Sequence, residues 1–531
     1  MKFFIFLVFM FLQIFMLSAQ TITWSKYFDP SVDGETIDFM VKLDSSYLIG
    51  TNIFCSGSSW NGCLYLRKID KNGETLHETY FNKDEKLDAF GISYYSKEII
   101  KNDNYFLLPN IIQVPNDQYY YPSIGVYDSN LNLKEYKIYK SQDTIEHVQI
   151  SNIYPYGSNI VMVTRSFNNK YDPQEVKPVL VIIDDTLGQI AQHKVKGLEE
   201  YRLLDNPNFV KLKDGTIACV SNVRLYGEGL TDDRHIALFR FDTTGNLFWK
   251  KIITQSGFAD KNYYNTDIDE LENGNIVFIG ARILSDEEWQ INESPFPNYV
   301  QCNNINGDSI WRKEFRTQNY SQSPGVIKVL PNGNIVGGGV VSCGDCYPGL
   351  PGPIYKSWLF CLSPSGKLLW ERYYKNPNEP VDVSYFRKIV ACTDGGILVG
   401  TEGRETEQTT GGLWLLKLDS MGCMTPDCSG TELYTAVKDE KGAWQNLKEV
   451  FFRIYPNPVG NILTVDFFSP QPGRKMELML SDMQGILIQK QPLPNDKHQE
   501  QIDVSGLKPG SYTISLLMNG KVIQSELVVK E

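Results

Sequence analysis

Histidine is scarce in this chain of 531 residues: only His77, His147, His193, His235 and His498, with no pair at metal-ligand spacing. That scarcity argues against a histidine-held zinc and against a nucleophile–histidine triad, both of which need imidazoles placed together. Basic clusters are also missing. A net charge of −12 leaves no positive field to displace the counterions of a nucleic acid. One long apolar run exists, Phe3 to Leu17, after Lys2 and before Ser18-Ala19-Gln20. It is too short and too terminal for a spanning helix, and its order is that of a cleavable export leader over 1–19. No Cys adjoins the cleavage position, which argues against a lipid anchor. With no second such run, the mature chain is expected to be soluble and exported.

Aromatic residues and turns are plentiful. Thirty Tyr and 27 Phe suit half-buried pleated strands. The stretch "FRFDTTGNLFWKKI" returns as "LRKIDKNGETLHETYF", "CNNINGDSIWRKEF" and "CLSPSGKLLWERYY". Its turn glycines, Gly73, Gly188, Gly245, Gly307, Gly366 and Gly422, recur every 56 to 62 residues once a missing copy is placed at "VYDSNLNLKEYKIY", with Asp128 and Leu131 in the turn. A second series, Gly215, Gly274, Gly333 and Gly395, keeps step with the first. A fixed period of this size marks a repeat fold.

Each period reads as four short strands with two tight hairpins. Between Ile268 and Phe315 the pattern predicts strands near 268–271, 276–281, 299–303 and 309–315, turning at Asn273-Gly274 and Asn306-Gly307. The expectation is an all-β chain whose residues 20–428 form a seven-bladed β-propeller. The last unit lacks a fourth strand. "TITWSKYF", from Thr21 to Phe28, resembles "SIWRKEF" and is expected to fill that place, with Trp24 standing where Trp249, Trp311 and Trp370 stand. The Asp/Asn-x-x-Gly turns supply too few carboxylates for a calcium loop. The Gly-x-x-x-Trp pattern is similar to the tryptophan-docking repeat of quinoprotein dehydrogenases. That family has eight blades and an adjacent Cys-Cys pair, which this chain lacks, so no cofactor is expected.

After Cys428 the period stops. Residues 429–449 are polar and read as a linker. From 450 to 531 short alternating strands with frequent turns predict a small Ig-like β-sandwich. Here Tyr455-Pro456-Asn457-Pro458, then Leu480 through Asp482 to Gly485, then Leu507-Lys508-Pro509-Gly510-Ser511-Tyr512 and a last strand ending at Lys530 resemble the C-terminal sorting domain of proteins exported by the type IX secretion system of Bacteroidetes. One departure is Ser511-Tyr512-Thr513, where the pattern often has Ile or Val after the Gly. The resemblance implies recognition by the secretion machinery, delivery to the cell surface or medium, and removal of the domain, with the linker as cleavage zone.

The long connections of the expected ring leave on the face opposite the tight turns, where binding residues are usually placed. Trp60, Tyr119, Tyr120, Tyr121, Trp289 and Tyr347 are the binding candidates there, since flat rings stack on sugars and bring area at low entropy cost; packing under their own loops is the alternative. Asp286, Glu287, Glu288 and Glu293 lie beside Trp289, but one acidic loop does not make the spaced carboxyl pair of a glycosidase. Cys55 with Cys63, Cys343 with Cys346 and Cys423 with Cys428 are expected to form local disulfides in an oxidising compartment. A four-cysteine zinc from the last two pairs is the alternative. Redox use is disfavoured because "CGDCYPGLPGP" cannot start a helix. The sequence therefore predicts a binding or adhesion module for a glycan or protein partner, with no catalytic residue, metal or cofactor assigned. A polysaccharide hydrolase or lyase using loop carboxylates and a structural part of a surface assembly are the alternatives.

Overall fold

The computed structural model describes residues 22–28, 36–54, 62–81, 89–92, 99–101, 105–113, 120–139, 147–169, 172–225, 235–254, 266–281, 298–315, 321–343, 354–374, 383–404, 412–424, 435–438, 444–447, 451–455, 457–468, 476–482, 487–493, 499–518 and 521–531. The leader expected over 1–19 lies outside them. No helix among them is long and apolar enough to cross a membrane. Contacts divide the chain into two compact units, Met1–Thr431 and Glu432–Glu531.

Hairpins build the first unit. Blade five is the plainest: Asp267–Glu270, Ile276–Ala281, Asn298–Asn303 and Ser309–Phe315 lie side by side in chain order. Blades at 36–81, 89–138, 147–194, 201–254, 321–374 and 383–418 repeat the order, giving a seven-bladed β-propeller. Blade two has its inner strand in two pieces, Ala89–Ile92 and Ile100–Lys101. Single bridges, Cys63 to Phe90 and Val176 to Leu203, join blades one to two and three to four. Blade seven takes its fourth strand from the N-terminus: Trp24–Phe28 pairs antiparallel with 413–417, from Trp24 opposite Lys417 to Phe28 opposite Leu413. The closure expected from "TITWSKYF" is therefore present.

The turn position needs one correction. The repeat places Gly188 in the blade-three turn, but the residue with left-handed backbone is Leu187, at φ 61, and its counterpart in blade two is Leu131, at φ 66. Both donate to the turn Asp as Gly73 does: Leu187 N–H to Asp184 O at 3.1 Å, Leu131 N–H to Asp128 O at 3.0 Å. The reason lies in the preceding blade. At four turns the outer strand of one blade lays an indole on the next blade's turn glycine. Trp24 covers Gly73, Trp249 covers Gly307, Trp311 covers Gly366 and Trp370 covers Gly422. Each indole N–H donates to a turn carbonyl, those of Lys71, Ile305, Pro364 and Ser420. Where the same register position holds His77 or Glu135 instead, no indole arrives. There the next turn carries Leu131 or Leu187, which fills the gap itself and is buried, whereas after Ala191, at the same position in blade three, the turn keeps Gly245 against the backbone of Lys194. A left-handed leucine costs about 1–2 kcal/mol, and burying its side chain recovers a similar amount.

Bulges aim these indoles. In six outer strands one extra residue interrupts the register just after the turn: Leu76, Lys134, Ile190, Phe248, Ile310 and Leu369. The bulge leaves the extra residue outside, so five of the six are exposed large apolar side chains. A third-strand cation is matched to the first turn in the same way. Arg240 pairs with Asp214 and the fully enclosed Lys417 with Asp394, whereas blades with Cys302 and Cys361 at that place have Asn273 and Asn332 in the turn.

The second unit contains an antiparallel hairpin, Thr435–Lys438 with Trp444–Leu447, inside the stretch read as a linker. Two sheets follow as an Ig-like β-sandwich. Phe451–Tyr455, Ile462–Phe468 and Gln499–Asp503 form one; Leu487–Leu493, Met476–Asp482, Gly510–Met518 and Lys521–Lys530 form the other. Val459, Leu463, Val465, Leu478, Leu480, Ile514, Leu516 and Val528 fill the space between them.

Candidate functional site

In the sandwich the motif residues clamp the terminal strand. Asn457, joined to Pro458 by a cis bond, uses its side-chain amide as a strand partner: Nδ2–H donates to Leu527 O at 2.6 Å and Oδ1 accepts from Val529 N–H at 2.8 Å. Val459 continues the contact, donating to Val529 O and accepting from Glu531 N–H. The edge of Lys521–Lys530 is thereby covered. Tyr512 O–H caps the preceding turn by donating to Lys508 O at 2.8 Å, and Leu507 packs against the core. Gly510, at φ 154, occupies backbone space that a side chain rarely allows. Lys530 is buried, with its Nζ on Glu531 O. Pro456 and Gly485 lie outside the described residues. The motif is thus a device for fixing the last strand.

Residues 453–530 match the family described as "Secretion system C-terminal sorting domain". This unit is a type IX sorting domain. It directs the chain to export, onto the cell surface or beyond it, and makes the secretion machinery its partner. No curated protein matches the sequence.

The ring has two unlike rims. One carries the tight turns, which are fastened by their own Asp, Asn or Ser side chains. Asp242, for example, accepts from Thr244 and Asn246 N–H at 2.9 Å each. Thr186 and the backbone of Gly188 hold the Asp184 carboxyl below its ordinary value. Lys251 and Asn304 do the same for Asp308.

The other rim carries every second-to-third and blade-to-blade connection. These range from Asn169–Asp172 in blade three to Ala281–Asn298 in blade five. Inner strands are bulged at this end in five blades, at 37/39, 150/152, 204/208, 324/326 and 386/388. Neighbouring inner strands are stitched by side chains. Asn152 donates to Phe209 O, Asn208 to Thr266 O, and Asp267 and Asp269 accept from Ile327 and Val329 N–H. Near the rim, Asn298 and Ser357 occupy the same register position in blades five and six. Both are fully buried, and their side-chain polar atoms have no hydrogen-bond partner among the described residues; the same holds for the hydroxyl of Thr401 in blade seven.

Among the sequence candidates, Tyr121 is half-buried at the loop-rim end of Tyr120–Asp128, which Tyr120 opens. Trp60, Tyr119, Trp289 and Tyr347 lie outside the described residues, as do Asp286, Glu287, Glu288 and Glu293. Cys63 and Cys343 are placed on strand ends by their backbone, and Cys55, Cys346 and Cys428 are not described. Cys219, Cys302, Cys361 and Cys392 are free and buried, and burial pushes the Cys302 and Cys361 thiols up to about 12. Cys423 is buried and is not one of those free thiols. No metal-holding group of three or more His, Cys, Asp or Glu occurs among the described residues.

Sequence reasoning missed Glu371. Its Oε1 accepts from Trp358 Nε1–H at 2.7 Å and Tyr373 O–H at 3.0 Å, and the Trp358 ring meets Phe315 of blade five edge to face. Burial raises its pKa against the pull of those bonds and of Lys313 and Arg372. An alternating "WERYY" carries no signal for this, because the partner Trp358 comes from another strand.

The ring is similar to several solved structures. A polysaccharide lyase of family PL25, an ulvan lyase bound to -[GlcA(1-4)Rha3S]-, is 10% identical over 75% of this chain and 96% of that one, with TM-score 0.48. An α-L-arabinanase from Penicillium chrysogenum complexed with arabinobiose is 12% identical over 60% and 92%, with TM-score 0.37. A subtype N10 neuraminidase-like protein of a little yellow-shouldered bat virus is 7% identical over 74% and 98%, with TM-score 0.35. Likeness at this level assigns no activity.

Proposed function

We propose that the exported ring is a non-catalytic binding module whose loop rim engages a glycan or an extracellular protein at the surface of a Bacteroidetes cell. The division between the rims carries this reading. Tight turns are locked on one side, while all long connections, the inner-strand bulges and the unpartnered buried atoms of Asn298, Ser357 and Thr401 collect on the other. Rigid scaffolds place recognition on such variable loops, and bulges cluster where side chains are re-aimed. Buried amide and hydroxyl groups without internal partners suit water or the hydroxyls of a bound sugar. Trp60, Tyr119, Tyr120, Tyr121, Trp289 and Tyr347 would supply stacking faces.

In this reading the leader 1–19 is removed first and the sorting domain is cut off within 429–449 during export. Local disulfides Cys55–Cys63, Cys343–Cys346 and Cys423–Cys428 would staple the connections. The test is a broad glycan and matrix-protein array probed with the full-length mature chain, followed by Trp60→Ala and Trp289→Ala. Binding that falls at least tenfold in these variants supports the proposal; an array without a single binder removes it. Turnover of a polysaccharide that is abolished by Glu287→Gln or Glu288→Gln would replace it with a hydrolase or lyase.

A further inference from the structure

Blade seven makes a turn that does not lead into its own fourth strand. Asp419 N–H reaches Cys423 O at 2.9 Å and Gly422 N–H reaches Asp419 O at 3.1 Å, as in the other outer turns. Gly422 seats Trp370 in the usual way. Yet the fourth place is held by Trp24–Phe28, which pairs in order from Trp24 opposite Lys417 to Phe28 opposite Leu413. The six other outer strands are tied to their sheets by a tight turn. This one is tied only through 29–35, which leads to the inner strand of blade one.

The slot it fills is demanding. Its neighbour Gly412–Leu418 is buried at every position, with Trp414 fully enclosed. Vacated, that strand would offer a long apolar edge with unpaired N–H and C=O groups, which readily accepts another strand. The contacts that hold Trp24–Phe28 come from blades seven and one. Trp414 Nε1–H donates to Ser25 Oγ, Asp394 accepts from Ile22 N–H, Trp24 lies on Gly73, Lys26 pairs with Glu74, and Arg67 stacks 4.2 Å from the Phe28 ring. None of these contacts involves the covalent link to Thr36, so the same segment of a second molecule would make all of them.

We propose that the Trp24–Phe28 strand is exchangeable and that a second copy of this chain docks by placing its own strand in the blade-seven slot. Fully extended, 29–35 can bridge about 25 Å, enough to hand the strand to an adjacent ring. Reciprocal exchange keeps every one of these contacts and gives a closed two-fold dimer. The proposal is independent of what the loop rim binds.

Full-length chains, one batch isotopically heavy, are mixed at high concentration and read by native mass spectrometry. A parallel pair carries S25C and L416C, which face each other across the slot and lock the strand to its own ring on oxidation. Heavy–light dimers are expected from the unlocked chains, absent from the locked ones, and restored by reduction. The proposal is overturned if unlocked chains yield no mixed dimers or if locked chains yield as many. It is equally overturned if S25C and L416C join neither within one chain nor between two, since the pairing itself would then be wrong.

Discussion

The two rims of the ring are built from the same strands and obey different rules. On the turn rim the described connections are short, most are hydrogen-bonded to their own Asp, Asn or Ser, and four of the third-to-fourth turns are covered by an indole from the blade before. Sequence there is constrained twice, by the local turn and by the neighbour that lands on it. On the loop rim the connections between second and third strands differ widely in length, from Asn169–Asp172 to Ala281–Asn298. The difference separates what holds the ring from what is free to vary for recognition, so substitutions on the two rims should fail in opposite ways.

The largest expected effect comes from removing the strand that joins the ring's ends. Deleting 21–28 should abolish the cooperative thermal transition of the 22–424 unit while the sorting domain keeps its own, read by calorimetry. A surviving ring transition would mean that closure does not hold this side together. Trp414→Ala empties a fully enclosed site and should cost about 3–5 kcal/mol in chemical denaturation.

Next comes the exchange between indole and turn. Gly366 has φ 82 and a Cβ there would meet Trp311 at 2.7 Å, so Gly366→Ala should cost about 1–3 kcal/mol. Leu187→Gly relieves a left-handed backbone but empties buried space, and should still destabilise by about 1–2 kcal/mol. If it stabilised instead, leucine would not be the substitute for a missing indole.

Acid and base should pull on different parts. Asp184 and Asp308 have lowered pKa values, so their contribution is present above the ordinary 3.8 and is lost as pH falls through the folded values. Glu371 has a raised value, so its contribution is complete below 4.5 and is lost as pH rises through the folded one. Glu371→Gln should flatten the decline of Tm with rising pH and leave the acid limb unchanged. The smallest effect on stability belongs to the loop rim: Trp289→Ala should shift unfolding by less than about 0.5 kcal/mol while lowering array binding. A large stability loss there would turn that tryptophan into a packing residue.

Much of the ring was legible because its cause is local. Positive-φ glycines and Asx side chains write the hairpins into short segments, and their spacing gives the blade count. The slip at Gly188 shows the limit. A repeat of glycines cannot report that Leu187 takes the left-handed place, because the reason is His77 and Glu135 standing where earlier and later blades have tryptophan. The sorting domain was legible through Tyr455–Pro458 and Leu507–Tyr512, yet their task of pinning the last strand appears only when Asn457 is seen against Leu527 and Val529. Glu371 was invisible for the same reason, its donor Trp358 coming from another strand.

The sequence alone determined the number of blades, the N-terminal strand as the missing piece and the export tail, since each depends on patterns a few residues long or on a period. Tertiary structure alone decided which blade's indole rests on which turn, where a leucine must replace glycine, and that Lys417, Asp394 and Ile22 fasten the closure. Those depend on side chains that meet across blades, as far apart in the chain as Trp414 and Ser25, and distance of that kind leaves no mark in a local pattern.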